Sequence, residues 1–200
     1  RLMTSRAEYR LVLRQDNADM RLTEKGRQIG LVKDDRYALF MKKKQEIIEN
    51  MELLQNTIIT PTKEIQEKLK QIGSSEIHTG TSLYDLLKRT EITYTSLQEA
   101  FELPEIMPES SKQLEILAKY EGYIKKQREQ IEKVLKLEEK LLPQEIDYNK
   151  IDGLALEARQ KLNKIKPLSV GQASRISGIS PADISVLLVY LEQERRKGEA

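Results

Sequence analysis

Cysteine is missing from this 200-residue sequence, and so is tryptophan. Without a thiol, disulfides, thiolate metal sites and cysteine nucleophiles are excluded within the span. The single histidine, His78, stands in a Gly/Ser/Thr-rich stretch from Gly73 to Thr81. No second His or Cys completes a metal site or catalytic pair with it, so it reads as a solvated loop residue. Glycine motifs that cradle phosphates do not occur, and no pair of carboxylates stands out from the helical background. A secretory leader and an apolar run of ~18 residues are also lacking, so a cytoplasmic setting without membrane contact is expected. Charge of one sign is scarce too, since 34 Lys+Arg against 32 Asp+Glu leave only +2. Attraction for a polyanion must therefore be local.

What is present is aliphatic: 38% of residues are apolar, mostly Leu and Ile, with two Phe and eight Tyr. Strand signals are nearly absent. The expected class is all-α, a multi-helix bundle with a long helical hairpin and a small C-terminal helical subdomain. Ser5 and Glu8 can form a capping box for a helix running to Arg14. Asp16 to Asp19 is a polar turn, and Thr23 can cap a second short helix that Gly30 ends. A long helix from Asp34 or Asp35 carries Tyr37, Phe40, Met41, Ile48, Met51 and Leu54 on one face. Thr60-Pro61 starts the next helix, with Ile65, Leu69 and Ile72 as its stripe and Gly73 as its stop. Short helices follow from Ser82 and from a capping box Ser96/Glu99, then a longest one from Ser111 to Leu142. After Pro143 the punctuation sharpens, with helices over 153–165, 169–177 and 181–196. Three segments result: 1–30, arginine-rich; 31–145, long antiparallel helices; and 146–200, a compact subdomain. The sequence opens at Arg1 with no methionine and reads as part of a longer protein whose catalytic machinery lies upstream. No turnover is expected of these residues alone.

Two basic clusters suit phosphate. Arg6, Arg10 and Arg14 recur every four residues, which on a helix makes one stripe flanked by Arg1 and Arg21. Balanced by Glu8, Asp16 and Asp19, the same stripe suits a solvated face. Lys125, Lys126 and Arg128 form the second cluster, in a helix whose acids could pair with them. The lysines of 42–44 read the same way. From Gln172 to Ser185 the spacing resembles a helix-turn-helix, but the second helix opens with Ala182, Asp183 and Ser185 where base-reading Arg, Asn, Gln or Lys is needed. The last helix, from Pro181, is apolar on nearly every side. It is either the centre of its subdomain or a docking face.

Two stretches resemble the GidA/MnmG family: Thr4 to Thr23 (TSRAEYRLVLRQDNADMRLT), and Ile146 to Leu191 with Ile151-Asp152-Gly153-Leu154 and Gly171 to Ile179 (GQASRISGI). The resemblance covers essentially the whole chain. It implies the C-terminal helical region of an FAD-dependent, homodimeric enzyme that installs a carboxymethylaminomethyl or aminomethyl group at C5 of the tRNA wobble uridine. That enzyme works with the GTPase MnmE, and its FAD domain, NADH site and catalytic cysteines lie upstream, so no cofactor is expected here. By the same resemblance Arg1, Arg6, Arg10, Arg14 and Arg21 are candidates for tRNA contact, joined by Lys125, Lys126 and Arg128. Gly171, Gln172, Ser174, Arg175 and Gly178 match the terminal motif, and with Leu187 and Leu191 are candidates for partner docking. Two positions depart from the family pattern: Lys166-Pro167 replaces Arg-Pro, and Ala155 replaces Ser, which removes a hydroxyl near a helix start. A helix-turn-helix DNA reader and a purely structural helical scaffold are the alternatives.

Overall fold

The computed structural model describes residues 9–198. They form an all-α protein with one antiparallel pair of two-residue strands, and group into two compact units, one ending at Gln127 and one starting at Arg128. Residue 145, where the sequence suggests a boundary, lies in the second.

The first unit is built around α2 (Asp34–Asn56), on which α1 (Ala18–Gln28), α4 (Leu83–Leu87) and α6 (Pro108–Lys119) pack. Asp34 and Asp35 sit in the first turn of α2, where the helix dipole favours negative charge. Phe40, Ile47 and Leu54 are its buried stripe, whereas Met41 and Ile48, expected on the same face, are 39% and 51% exposed. Both sets keep a seven-residue spacing, and one residue of rotation separates them; the packing of neighbours chooses between them. Thr23 does not cap a helix: α1 begins at Ala18, and Thr23 is buried inside it. Gly30 follows that helix in the left-handed region, at φ 78°.

β1 (Ile58–Ile59) pairs with β2 (Thr81–Ser82), with Ile58 opposite Ser82. The cap of α3 (Lys63–Gln71) is Thr62, whose hydroxyl accepts from the Ile65 amide at 3.4 Å, not Thr60. Leu69 is fully buried, and Gly73 at φ 73° ends the helix. Ser82, where a short helix is expected to begin, caps α4, its hydroxyl accepting from the Asp85 amide at 3.0 Å. For α5 (Tyr94–Phe101) the sequence holds two overlapping boxes, and Thr93/Ser96 forms rather than Ser96/Glu99. That start places Tyr94 and Leu97 on one buried face. The segment expected as one helix from Ser111 is two, α6 and α7 (Glu121–Glu139), interrupted at Tyr120 beside Gly122, a poor helix former.

The second unit contains the rest of α7, a 3-10 turn over Tyr148–Lys150, α8 (Leu156–Ile165), α9 (Val170–Ser174) and α10 (Pro181–Gly198). Leu142, Tyr148, Ile151, Leu154, Leu162, Val170, Ala173, Ile184 and Leu187 form its core. The chain after α7 is held to the start of α9: Leu142 donates to the Leu168 carbonyl and Val170 to that of Lys140, each at 2.9 Å. The apolar excess of α10 is largely central to this core, with Val189 left 56% exposed.

Candidate functional site

Arg1, Arg6 and the Ser5/Glu8 box lie outside the described residues. The helix expected to carry the arginine stripe does not extend through the described part of that segment. Residues 9–13 form a tight turn instead, in which Tyr9 has φ 53° and its carbonyl accepts from the Val12 and Leu13 amides, each at 2.9 Å. A stripe at four-residue steps therefore does not exist over Arg10 and Arg14. Arg14 folds back: its guanidinium donates to Asp16 at 3.0 Å and to the Leu11 carbonyl at 2.5 Å. The buried Gln113 of α6, with its amide turned to satisfy both neighbours, donates to Asp16 at 3.1 Å and accepts from Arg14 at 3.2 Å. Arg21 donates to the Asn17 side chain at 3.0 Å and to the Arg14 carbonyl at 3.3 Å. Both arginines thus brace their own loop, because a forked donor beside a carboxylate and a free carbonyl is satisfied locally. Arg10 is exposed.

On α7, Lys125, Lys126 and Arg128 are exposed and make no ion pair or hydrogen bond among the described residues. The ion pairs found on this helix reach other elements: Glu121 to Lys88 at 2.8 Å, and Glu138 to Arg175. The lysines of 42–44 differ, since Lys43 meets Asp19 at 2.7 Å and Lys44 meets Glu24 at 2.9 Å, stapling α2 to α1. A residue that sequence reasoning passed over, Gln127, joins the two basic elements. Its side-chain oxygen accepts from the Leu11 and Val12 amides, each at 2.9 Å.

In the second unit the terminal motif is organised by Glu138. Its carboxylate pairs with Arg175 and accepts from the Ser169 hydroxyl at 3.2 Å. The Arg175 guanidinium, followed by Ser169, holds the Glu138 carboxyl below the usual range. Gly171 is buried directly beneath this carboxylate, and a Cβ there would collide with it. An added Cβ at Gly171 would force the Glu138 carboxylate to move. Leu187, also a docking candidate, is fully buried in the core of the second unit. Gln172, Ser174, Arg175 and Gly178 are exposed, and Leu191 is half-buried. Gly178 turns at φ 90° under the Lys161 and Glu157 side chains, and Lys161 donates to the Ser177 carbonyl at 2.5 Å. Asp183 is not an acid facing outward. Only 4% exposed, it accepts from the Ser180 amide at 2.9 Å and the Ser180 hydroxyl at 2.6 Å. The first turn of α10 consequently offers no base-reading side chain. Beside it, a groove of about 560 Å³ is lined by Ile151, Asp152, Val186, Val189 and Tyr190.

Among the described residues no group of His, Cys, Asp or Glu could hold a metal ion, and no helix is long and apolar enough to cross a membrane. His78 is exposed.

Residues 34–128 match the family model described as the tRNA modifying enzyme MnmG/GidA C-terminal helical domain. Residues 130–200 match that of the MnmG/GidA C-terminal helical bundle. The chain is 59% identical over 199 residues to the tRNA uridine 5-carboxymethylaminomethyl modification enzyme MnmG of Alkaliphilus oremlandii, covering 98% of this chain and 31% of the relative. It is 55% identical to the enzyme of the same name from Geobacillus thermodenitrificans, again over 98% of this chain and 31% of the relative. The chain thus spans about a third of the length of the curated relatives it matches. A solved structure of Aquifex aeolicus GidA aligns with a TM-score of 0.62 at 40% identity, covering 94% of this chain and 28% of that one. A second crystal form of the same protein gives 0.61 at 38%, covering 89% and 27%.

Proposed function

This chain belongs to the MnmG/GidA family of tRNA-modifying enzymes, as its C-terminal helical region, and from that premise we propose that it is the module that holds tRNA and docks the partner protein. The parent enzyme in this reading is FAD- and NADH-dependent, homodimeric and cytoplasmic, and modifies C5 of the wobble uridine together with the GTPase MnmE. The observation that carries the RNA half is the run of exposed cations Lys125, Lys126 and Arg128 on α7, which have no acidic partner among the described residues. Cations without an internal acid are available to phosphate oxygens, which fix register on a nucleic acid whatever its sequence. The docking half is supported by the exposed Gln172, Ser174 and Arg175; Glu138 pairs with Arg175, and the Ser169 hydroxyl accepts from the Gln172 amide at 3.1 Å.

Titration of this chain with tRNA and separately with the GTPase tests both halves. Lys125→Gln/Lys126→Gln is expected to weaken tRNA binding and flatten its salt dependence by about two phosphate contacts, a slope change of about 1.8 on a duplex stem. Binding that ignores both salt and these substitutions would defeat the RNA half. Arg175→Ala is expected to weaken GTPase binding without altering tRNA binding; equal GTPase affinity would remove the docking half. A DNA-reading role is disfavoured by the first turn of α10, where Pro181, Ala182 and the inward-turned Asp183 offer no donor for base edges.

A further inference from the structure

The two basic elements of the first unit are far apart in sequence, and one side chain holds them together. Gln127 lies on α7 directly after Lys125 and Lys126, and its oxygen accepts from two consecutive amides of the 9–13 turn, Leu11 and Val12, each at 2.9 Å. The assignment of the oxygen to that side is forced, because two N–H donors cannot face the NH₂ end of the amide. Consecutive N–H groups converging on one oxygen form the kind of concavity that otherwise binds an anion. Here the acceptor is neutral, so the positive character of the turn is retained beside the lysines. Arg10 immediately precedes these two amides and is exposed.

We infer that Gln127 is a positioning residue that fastens the Arg10 turn against Lys125 and Lys126 of α7, making of two separate elements one continuous surface for the phosphate backbone of RNA. The inference rests on the tRNA-holding reading above and adds to it the clamp that assembles the site. Gln127 does not itself meet phosphate. Its effect on RNA comes through the placement of Arg10, whose fixed position spares the complex the cost of ordering that segment on binding.

The test uses the 200-residue chain, an unmodified tRNA, and hydrogen exchange at the Leu11 and Val12 amides. Gln127→Met keeps length and helix propensity but removes the acceptor. It is expected to expose the Leu11 amide to exchange while the Val12 amide keeps the Tyr9 carbonyl as acceptor, to weaken tRNA binding roughly 3- to 10-fold, and to lower the slope of log affinity against log salt by about 1, the loss of one cationic contact. Gln127→Glu keeps an acceptor and should keep both amides protected, while its added charge weakens tRNA binding. Lys125→Gln should lower the salt slope and leave amide exchange unchanged, which separates a phosphate contact from a clamp. Unchanged protection of the Leu11 amide in Gln127→Met, or its exposure with unchanged affinity and slope, overturns the inference alone. No tRNA binding by the wild-type chain overturns the functional reading on which it stands, a result distinct from either.

Discussion

The Asp183 carboxylate, at the start of α10, accepts the backbone N–H of Ala155 at the start of α8 at 3.0 Å. Ala155 is the N-cap of α8 and has no side chain to accept from that helix's first amides. Asp183 meanwhile shares a reciprocal box with Ser180, whose hydroxyl accepts from the Asp183 amide at 3.2 Å. One buried acid therefore organises the starts of two helices.

Asp183→Ala should destabilise the second unit by about 2–3 kcal/mol, because it strands donors in a site with little access to water. Asp183→Asn, which keeps one acceptor, should cost less. The Ser180 hydroxyl, then the Ala155 amide, holds this carboxyl below its ordinary value of 3.8. A depressed native value means that the stabilisation is complete above about pH 4 and is lost as pH falls through the native value. Urea unfolding across that range should show a shallower acid limb for Asp183→Asn; identical limbs would refute the assignment.

Ala155→Ser restores a hydroxyl at an N-cap with extended backbone, φ −61° and ψ 149°. It is expected to stabilise the second unit by about 0.5–1 kcal/mol. A lower melting midpoint would refute the expected cap.

Leu187→Ala should cost about 2–5 kcal/mol, as a cavity in a fully buried position does. Any loss of GTPase binding in that variant should disappear at a temperature where the unit is still folded. Reduced binding by a demonstrably folded Leu187→Ala would place this residue at the interface.

Burial, with Glu121 assisting at Tyr84 and Glu46 at Tyr94, pushes both tyrosines up to about 12. Their contribution is complete below about pH 10, where an unfolded tyrosine begins to ionise, and is lost as pH rises towards the native values. A tyrosinate absorbance titration should show these two groups ionising late, together with alkaline unfolding. The Tyr94 hydroxyl lies 2.8 Å from the Asn50 side-chain oxygen and 2.9 Å from the Pro104 carbonyl. Tyr94→Phe should therefore cost about 1–2 kcal/mol and weaken the alkaline transition. Eight tyrosines titrating together would contradict this.

The candidate site was legible in composition but not in geometry. Lys125, Lys126 and Arg128 are found as a sequence run, and their exposure follows from the apolar phase of α7, which buries Ile124. The arginine block misled because four-residue spacing describes a stripe only where a helix exists. The Asp16-Asn17 turn supplies Arg14 and Arg21 with local acceptors that compete with that use. Gln127 carried no signal, since a glutamine on a charged helix is unremarkable until the turn it fastens is placed beside it.

Alone, the sequence determined what depends on neighbours a few residues away. The all-α class, the caps at Ser82, Ser169 and Ser180, the stops at Gly73 and Gly178, and the buried Leu69 all follow from period, capping chemistry and the freedom of glycine at positive φ. Tertiary structure decided the helix starts that are served from a distance. Glu46 accepts from the Met107 amide at 3.0 Å, Glu115 from that of Tyr94 at 2.8 Å, and Asp183 from that of Ala155 at 3.0 Å. It likewise decided the choice of buried face on α2 and the fastening of the Arg10 turn by Gln127. An unsatisfied backbone N–H specifies only that some acceptor must reach it, and which acid or amide does so is fixed when the chain packs.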